Sequence, residues 1–241
     1  MARVKRHAAY CGTLAIYDDM ETSAKSLIAN SDVDVVHFII EDAAFPRELP
    51  DIIQVHDLSG QTYFPPDGVN MASGYTYMAM MRIALCHILP RVSKVLSLDA
   101  DIVCEKDVSA IWDLPVDDCY FSATPEWHRT GNGLLYCNAG VVLYNLKKLR
   151  DGKADECIGV LNTRQYPWLE QDVGNYLCQG RIHDMPSCYN SNWWTDKNAP
   201  GAKIVHFAGV AREGWVNDWR VTKWRDMSWD EVMALHESRR K

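Results

Sequence analysis

Short apolar runs alternate with helical segments through the first hundred or so residues, and that order limits the fold more than any other feature of the chain. "RHAAYCG" (residues 6–12) reads as a first strand, and "DDMETSAKSLIANS" (18–31) as a helix with an acidic first turn. "VDVVHFIIED" (33–42) is β-branched and apolar enough for a buried strand, and "DIIQVHDL" (51–58) reads as a third. "YTYMAMMRIALCHILP" (75–90) follows as an apolar helix stopped by Pro90. "KVLSLDADIV" (94–103) then reads as one strand carrying two aspartates. Strands that alternate with helices predict an α/β fold with a mostly parallel sheet.

After residue 105 the elements become shorter and mixed: "DVSAIWDLP", "CYFSATPEW", "GLLYCNAGVVLYNLKKLR", helical "KADECIGVLNTR" and "QDVGNYLCQG", and a late strand "KIVHFAG". "SWDEVMALHESRRK" reads as a helix capped by Ser228 or Asp230. No Pro/Gly/Ser linker divides the chain. Residues 1–241 are therefore expected to form one domain, with a nucleotide-binding-like half to about residue 105 and a second half, about 106–241, that completes the site. Ligands in open α/β sheets sit at the carboxyl ends of strands, where Asp99 and Asp101 fall.

Composition narrows the function. With 241 residues, 47% hydrophobic and 24% charged, the chain can bury a full core. A net charge of -7 argues against general nucleic-acid binding, so a phosphorylated ligand must be held by a few local cations. None of the eight cysteines forms a CxxC pair, and several sit in apolar runs, as in "RIALCHIL". They read as reduced thiols in a reducing compartment, not as a disulfide framework or zinc site. "MARVKRHAAYCG" lacks an apolar signal core, and no run reaches membrane-spanning length. The expectation is a soluble cytoplasmic protein with no integral membrane segment. "HESRRK" at the end reads as a solvated helix end.

Four motifs carry chemistry. In "LDADIV", Asp99 and Asp101 lie one residue apart where burying either is costly. If the strand persists they point the same way and repel, and a cation between them removes the conflict. Mn²⁺ and Mg²⁺ both take oxygen ligands, and an added imidazole favours Mn²⁺. The same pair also fits a capping turn, or the nucleophile and general acid of haloacid-dehalogenase-like phosphatases, although that motif normally follows the first strand. Asn138-Ala139-Gly140 interrupts two apolar runs: small residues admit a ligand close to the backbone, or form a plain bulge. Glu170, Gln171 and Asp172 open a helical pattern, as capping acids do, and can also meet sugar hydroxyls. His206 ends an apolar strand, as a hydrogen-bonded core histidine or a third metal ligand, and Arg212 after it offers a planar fork for phosphate.

The order and spacing of these motifs resemble the family 8 glycosyltransferases, retaining GT-A enzymes that include glycogenin and bacterial galactosyltransferases. "LDADIV" resembles the family's Leu-Asp-x-Asp, "CNAGVVLYNLKKLR" its Asn-Ser/Ala-Gly segment, "EQDVGN" its Asp-Gln-Asp, and "HFAGVAREGW" its His-x-x-Gly with Lys-Pro-Trp. "YCGTLAIY" is similar to its first strand and uracil-binding loop. The likeness runs over residues 10–215. It implies a GT-A fold: a Rossmann-like, mostly parallel central sheet flanked by helices, with a small mixed second sheet.

The resemblance implies that Asp99, Asp101 and His206 bind Mn²⁺, with Mg²⁺ the alternative, beneath the diphosphate of a UDP-sugar. Tyr10, Gly12, Thr13 and Tyr17 would lie near the uracil, Tyr17 stacking on it. Arg82 and Ala100 join the donor contacts. Asn138, Ala139 and Gly140 line the sugar pocket. Gln171 lies below the anomeric carbon, flanked by Glu170 and Asp172, and Gly209 and Arg212 close on the diphosphate. Arg212 replaces the usual Lys, Glu213-Gly214 stands where Pro precedes Trp, and Glu170 replaces Asp. The chain ends without the long basic extension of some members, so no lipid acceptor is expected.

The expected activity is metal-dependent, retaining transfer of glucose or galactose from a UDP-sugar to a hydroxyl on a glycan, a protein or a small molecule. Retention usually requires a carboxylate nucleophile, and Gln171 is a poor one. Same-face attack is expected, with double displacement through Glu170 or Asp172 as the alternative. The competing class is a nucleotide-sugar-binding protein without transferase activity. Six of the nine tryptophans, Trp193, Trp194, Trp215, Trp219, Trp224 and Trp229, fall late in the chain, as an acceptor surface or a small satellite core.

Overall fold

The structure, a computed structural model, describes residues 3–41, 48–73, 75–126, 133–192 and 201–241. Trp193, Trp194 and the Trp127 that ends "CYFSATPEW" lie outside them. β1 (His7–Gly12), β2 (Val35–Ile40) and β3 (Ile53–Asp57) pair in parallel, and β4 (Lys94–Leu98) lies parallel to β1 on its other side. After β5 (Ile102–Cys104), β6 (Phe121–Pro125), β7 (Cys137–Asn145) and β8 (Ile182–Asp184) extend this sheet in the order β3-β2-β1-β4-β7-β6-β8. β7 runs antiparallel to both neighbours.

The helices are α1 (Tyr17–Ala29), α2 (Met81–Ile88), α3 (Leu146–Leu149), α4 (Lys153–Thr163), α5 (Leu169–Leu177), α6 (Arg212–Val216), α7 (Trp219–Asp226) and α8 (Trp229–Arg239). α1, α7 and α8 pack on one face of the sheet and α2 to α5 on the other, which explains why every residue of β2 is buried. α8 starts at Ser228, whose hydroxyl and the Glu231 side chain form a reciprocal capping box, a device that stabilises a helix by about 1 kcal/mol. No described helix is long and apolar enough to cross a membrane.

The strand expected to run from Lys94 through Val103 is two strands in two sheets. β4 ends at Leu98 in the main sheet, and β5 starts at Ile102 in a second sheet of order β5-β10-β9, with β9 (Ser191–Asn192) and β10 (Ile204–His206). The bend at residues 99–101 is the joint between them, so the aspartates do not converge by strand alternation. They converge because the chain turns there, while the apolar residues on either side stay buried in different sheets.

Two other expectations need correcting. The apolar run at 75–90 makes a shorter helix than its pattern predicts: Thr76 caps a 3-10 turn, Tyr77–Ala79, before α2 begins at Met81. The four described late tryptophans do not build a satellite core. Trp215 and Trp224 are buried in the main core, Trp229 packs against it, and Trp219 is exposed.

Candidate active site

The joint between the sheets creates the site. β10 runs antiparallel to β5 with His206 opposite Ile102, and the Phe207 amide donates to the Asp101 carbonyl at 2.9 Å. That register carries the imidazole to the two carboxylates: His206 Nε2 lies 3.5 Å from Asp99 Oδ2 and 3.4 Å from Asp101 Oδ1. One donor atom from each of the three residues falls within 4.8 Å of the others. Burial disfavours a charged His206, but Asp101 and Asp99 outweigh it and raise its pKa to about 10. Two carboxylates and an imidazole aimed at one point suit a divalent ion that takes oxygen ligands together with one nitrogen, such as Mn²⁺.

The imidazole is oriented from behind. His206 Nδ1 lies 2.9 Å from Asn190 Oδ1, the Asn190 amide donates to Asn138 Oδ1 at 2.9 Å, and the Gly140 amide donates to the same oxygen at 2.8 Å. With Nδ1–H held by an acceptor, Nε2 is the nitrogen turned to the carboxylates, where it donates while the ring is charged and offers a lone pair only when a cation takes the place of that proton. The ring lies directly over Gly140, where a Cβ would come within 2.6 Å of Nδ1. Gly140 therefore seats His206 and does not line the sugar pocket as expected.

Arg82 of α2 ties the bend to α5. Its guanidinium donates to Asp99 Oδ1 and the Ala139 carbonyl, each at 2.7 Å, and pairs with Glu170 Oε1 at 2.6 Å. Burial lowers the stability of both charges. Glu170 is raised above the ordinary carboxylate pKa by burial despite Arg82, whereas Arg82 and then His206 overcome burial to lower Asp99. Gln171 is held as firmly: its Oε1 accepts the Ala139 amide at 2.8 Å, and its Nε2 reaches Glu126 Oε1 at 3.4 Å.

Around these groups lies a cavity of about 690 Å³. Its wall includes Arg82, Asp99, Ala100, Asp101, Asn138, Ala139, Glu170, Gln171, His206, Gly209 and Arg212 from the sequence reading. Gly209 has φ +69, the left-handed conformation that reverses the chain between β10 and α6. Five expected contacts, Tyr10, Gly12, Thr13, Tyr17 and Asp172, lie off this wall. Tyr10 is 0% and Tyr17 1% exposed, both inside the core, and the Tyr10 hydroxyl is occupied by Ser23. Tyr17 is thus not placed to stack on a base, because it is the first α1 residue and turns under the sheet. Gly12 packs against Met20 and Ile16, and the β1 loop meets the cavity through Cys11, Ile16 and Asp19 instead of Gly12 or Thr13. Asp172 is buried off the cavity wall, taking the Tyr136 hydroxyl at 2.6 Å and the Trp168 amide at 3.0 Å.

Sequence reading missed Asn190, Glu126 and Asp19. Asn190 has no spacing signal, since its partners His206 and Asn138 are distant in the chain. Glu126 follows a slip in the β6–β7 ladder between Ala123 and Pro125 and accepts the Asn138 amide at 2.9 Å. Asp19 reads only as a first-turn acid, but it accepts the Trp215 indole N–H at 2.8 Å and pairs with Arg212. The cation expected on a diphosphate already has a carboxylate partner.

The fold has counterparts. Residues 19–213 match the model of glycosyl transferase family 8. A 117-residue stretch is 30% identical to the lipopolysaccharide 1,2-glucosyltransferase of Escherichia coli (strain K12), a match over 42% of this chain and about a third (34%) of that protein's length. The glycosyltransferase GlyE of Streptococcus pneumoniae TIGR4 superposes with TM-score 0.71 at 19% identity, covering 99% of this chain and 64% of that one. The galactosyltransferase LgtC, solved with donor and acceptor sugar analogues, superposes with TM-score 0.67 at 19% identity over 95% of this chain and 99% of its own. These folds have the same GT-A plan, a mostly parallel sheet between helices with a small mixed second sheet. The family match, over most of the chain and across the Asp-x-Asp bend, removes the phosphatase reading: the chain belongs to glycosyl transferase family 8.

Proposed function

We propose that the protein transfers a hexose from a UDP-sugar to a hydroxyl acceptor with retention at the anomeric carbon. The observation that carries this reading is the Asp99–Asp101–His206 triangle on the wall of a cavity that also holds Arg82 and Gln171. Glucosyl and galactosyl transfer by the relatives supports a hexose. The family likeness supports uridine.

The three donor residues fit a divalent cation, because their atoms converge and Asn190 fixes the imidazole. Bound there, Mn²⁺ or Mg²⁺ would supply a Lewis acid for the charge that develops on the departing diphosphate. Arg82 keeps Asp99 ionised and aimed at the site. Arg212 reaches the same leaving group once it exchanges Asp19 for phosphate oxygens. Gly209 and Ala100 leave room for the donor backbone against the protein's own.

The groups near the anomeric carbon favour same-face attack. A double displacement needs a free carboxylate nucleophile. Glu170 is bound to Arg82, Asp172 is pinned away from the cavity, and Gln171 is an amide whose oxygen is already engaged. In same-face attack the acceptor proton passes to a leaving phosphate oxygen, so no enzyme base is required.

Residues 1–241 are read as one domain, with the donor bound mainly by the half up to about 105 and the acceptor by about 106–241. The eight free thiols support a cytoplasmic location. The test is UDP-sugar hydrolysis and transfer with Mn²⁺. Asp101→Asn should lose at least about a hundredfold in turnover, as for a lost electrostatic donor. Wild-type turnover in that variant would end the metal assignment.

A further inference from the structure

Two aromatic rings stand on the cavity wall and are not buried. Tyr75 and Trp168 have ring centroids 5.8 Å apart and planes tilted by 46°, and both line the cavity. They are 50% and 39% exposed, whereas Trp112, Trp215 and Trp224 are buried. Exposing two large apolar faces forgoes burial that most of the described aromatic rings obtain.

The backbone next to them is strained in a way that holds this arrangement. Leu169 has φ 45, and among the described residues it is the one non-glycine with positive φ. Such a conformation is disfavoured for a side-chain-bearing residue and persists where its surroundings over-determine it. Here three consecutive side chains take three directions. Trp168 stays on the wall, Leu169 is 1% exposed in the core, and Glu170 reaches Arg82. Asp172 accepts the Trp168 amide and the Tyr136 hydroxyl, which locks the strained turn to the end of β7.

The polar groups next to the rings match one class of ligand. Glu126 Oε1 gathers the Asn138 and Gln171 amides at 2.9 and 3.4 Å, and all three residues line the same cavity. A carboxylate among amides offers acceptors and donors for hydroxyl groups. Aromatic faces carry negative charge that attracts the polarised C–H face of a pyranose. A sugar has both kinds of surface, whereas a peptide hydroxyl or a small alcohol has no face to set on the rings.

We infer that Tyr75 and Trp168 form the platform for the acceptor, a pyranoside whose C–H face lies on the rings while its hydroxyls meet Glu126 and Gln171. This deepens the proposed transferase reading and rests on it. The test uses methyl glucoside, methyl galactoside and lactose as probe acceptors, with serine peptides and glycerol as the contrast. Trp168→Ala should raise KM for the accepted pyranoside at least about tenfold, the size of a lost aromatic contact. Trp168→Tyr should restore most of it, and transfer should fall more than donor hydrolysis. The dissociation constant for UDP with Mn²⁺ should stay within about twofold. A tenfold loss of UDP affinity would place the nucleotide base on these rings and overturn the inference. Equal use of glycerol or peptide acceptors by the wild type and Trp168→Ala would also overturn it. Binding of the glycosides to the UDP–Mn²⁺ complex, read by saturation-transfer NMR, separates the two claims. Contact signals that vanish in Trp168→Ala support the platform even if no transfer is found, and absent UDP-sugar turnover in the wild type would count against the transferase reading alone.

Discussion

Replacing Gly140 with alanine tests how the proposed metal triangle is held. A Cβ there would lie 2.6 Å from His206 Nδ1 and 2.8 Å from Nε2. Non-bonded heavy atoms need about 3.5 Å, so the ring must retreat by about 1.4 Å, the distance set by Cε1, the ring atom nearest that Cβ. Neither side yields easily. The Gly140 carbonyl accepts the Asp99 amide at 2.8 Å, and β10 is held by β5 on one edge and β9 on the other. Ligand distances in a working metal site vary by only about 0.2 Å. The variant should lose Mn²⁺ affinity by about 10- to 100-fold, as when an orienting group is lost, and about 1–3 kcal/mol of stability from overpacking. Calorimetric Mn²⁺ titration and thermal melts measure both. Gly140→Ala/His206→Ala should be more stable than Gly140→Ala, because the clash has gone, but should not regain the metal. Wild-type Mn²⁺ affinity and melting temperature in Gly140→Ala would refute the claim that this glycine seats the imidazole.

Arg82→Ala leaves Glu170 and Asp99 without their buried partner and should destabilise the fold by about 3–5 kcal/mol. Adding Glu170→Gln should recover part of that in denaturant unfolding. Asp19→Asn frees Arg212 from a carboxylate competitor, and because Arg212 is 60% exposed the pair contributes about 0.2–1 kcal/mol. UDP should then bind up to about fivefold more tightly by calorimetry, and weaker binding would show that Asp19 helps to hold the closed segment. His37 lies between His7 and His56, with ring nitrogens 3.0 and 2.9 Å apart. Burial first, then His56 and His7, lower its pKa from 6.5 to about 3. The unfolded state takes up this proton first. Stability is therefore complete above about pH 6.5 and falls as pH drops towards 3, by up to about 1.4 kcal/mol per pH unit. His37→Gln should flatten that slope in melts between pH 6.5 and 4.

Much of this was legible because it is local. Most strands and helices of the first half announce themselves by period and β-branching, and the residues proposed to hold the metal lie at ends of apolar runs. What the sequence did not reveal depends on pairing between distant segments. "LDADIV" reads as one strand because apolar residues continue past the aspartates, and nothing local says that Ile102 pairs with His206 in another sheet. The burial of Tyr17 is invisible for the same reason: its position matches a base-stacking loop, but the α1 packing turns it inward. Asn190 and Glu126 act only through partners dozens of residues away.

The same contrast explains how the site can vary within a fixed fold. The triangle is determined by sheet register, a Gly140 seat and the Asn190 bond, and a change in any of these moves a ligand. The acceptor wall is built differently. Trp168 and Tyr75 sit on the approaches to α5 and α2, where they contribute little to the core. A substitution there alters what lies on the platform without altering Arg82, Glu170 or Gln171 behind it. Leu169 couples the two, since its left-handed backbone lets the ring stay on the wall while Glu170 reaches Arg82. Acceptor choice can therefore change at the rings while donor chemistry stays constant, as long as that turn is kept.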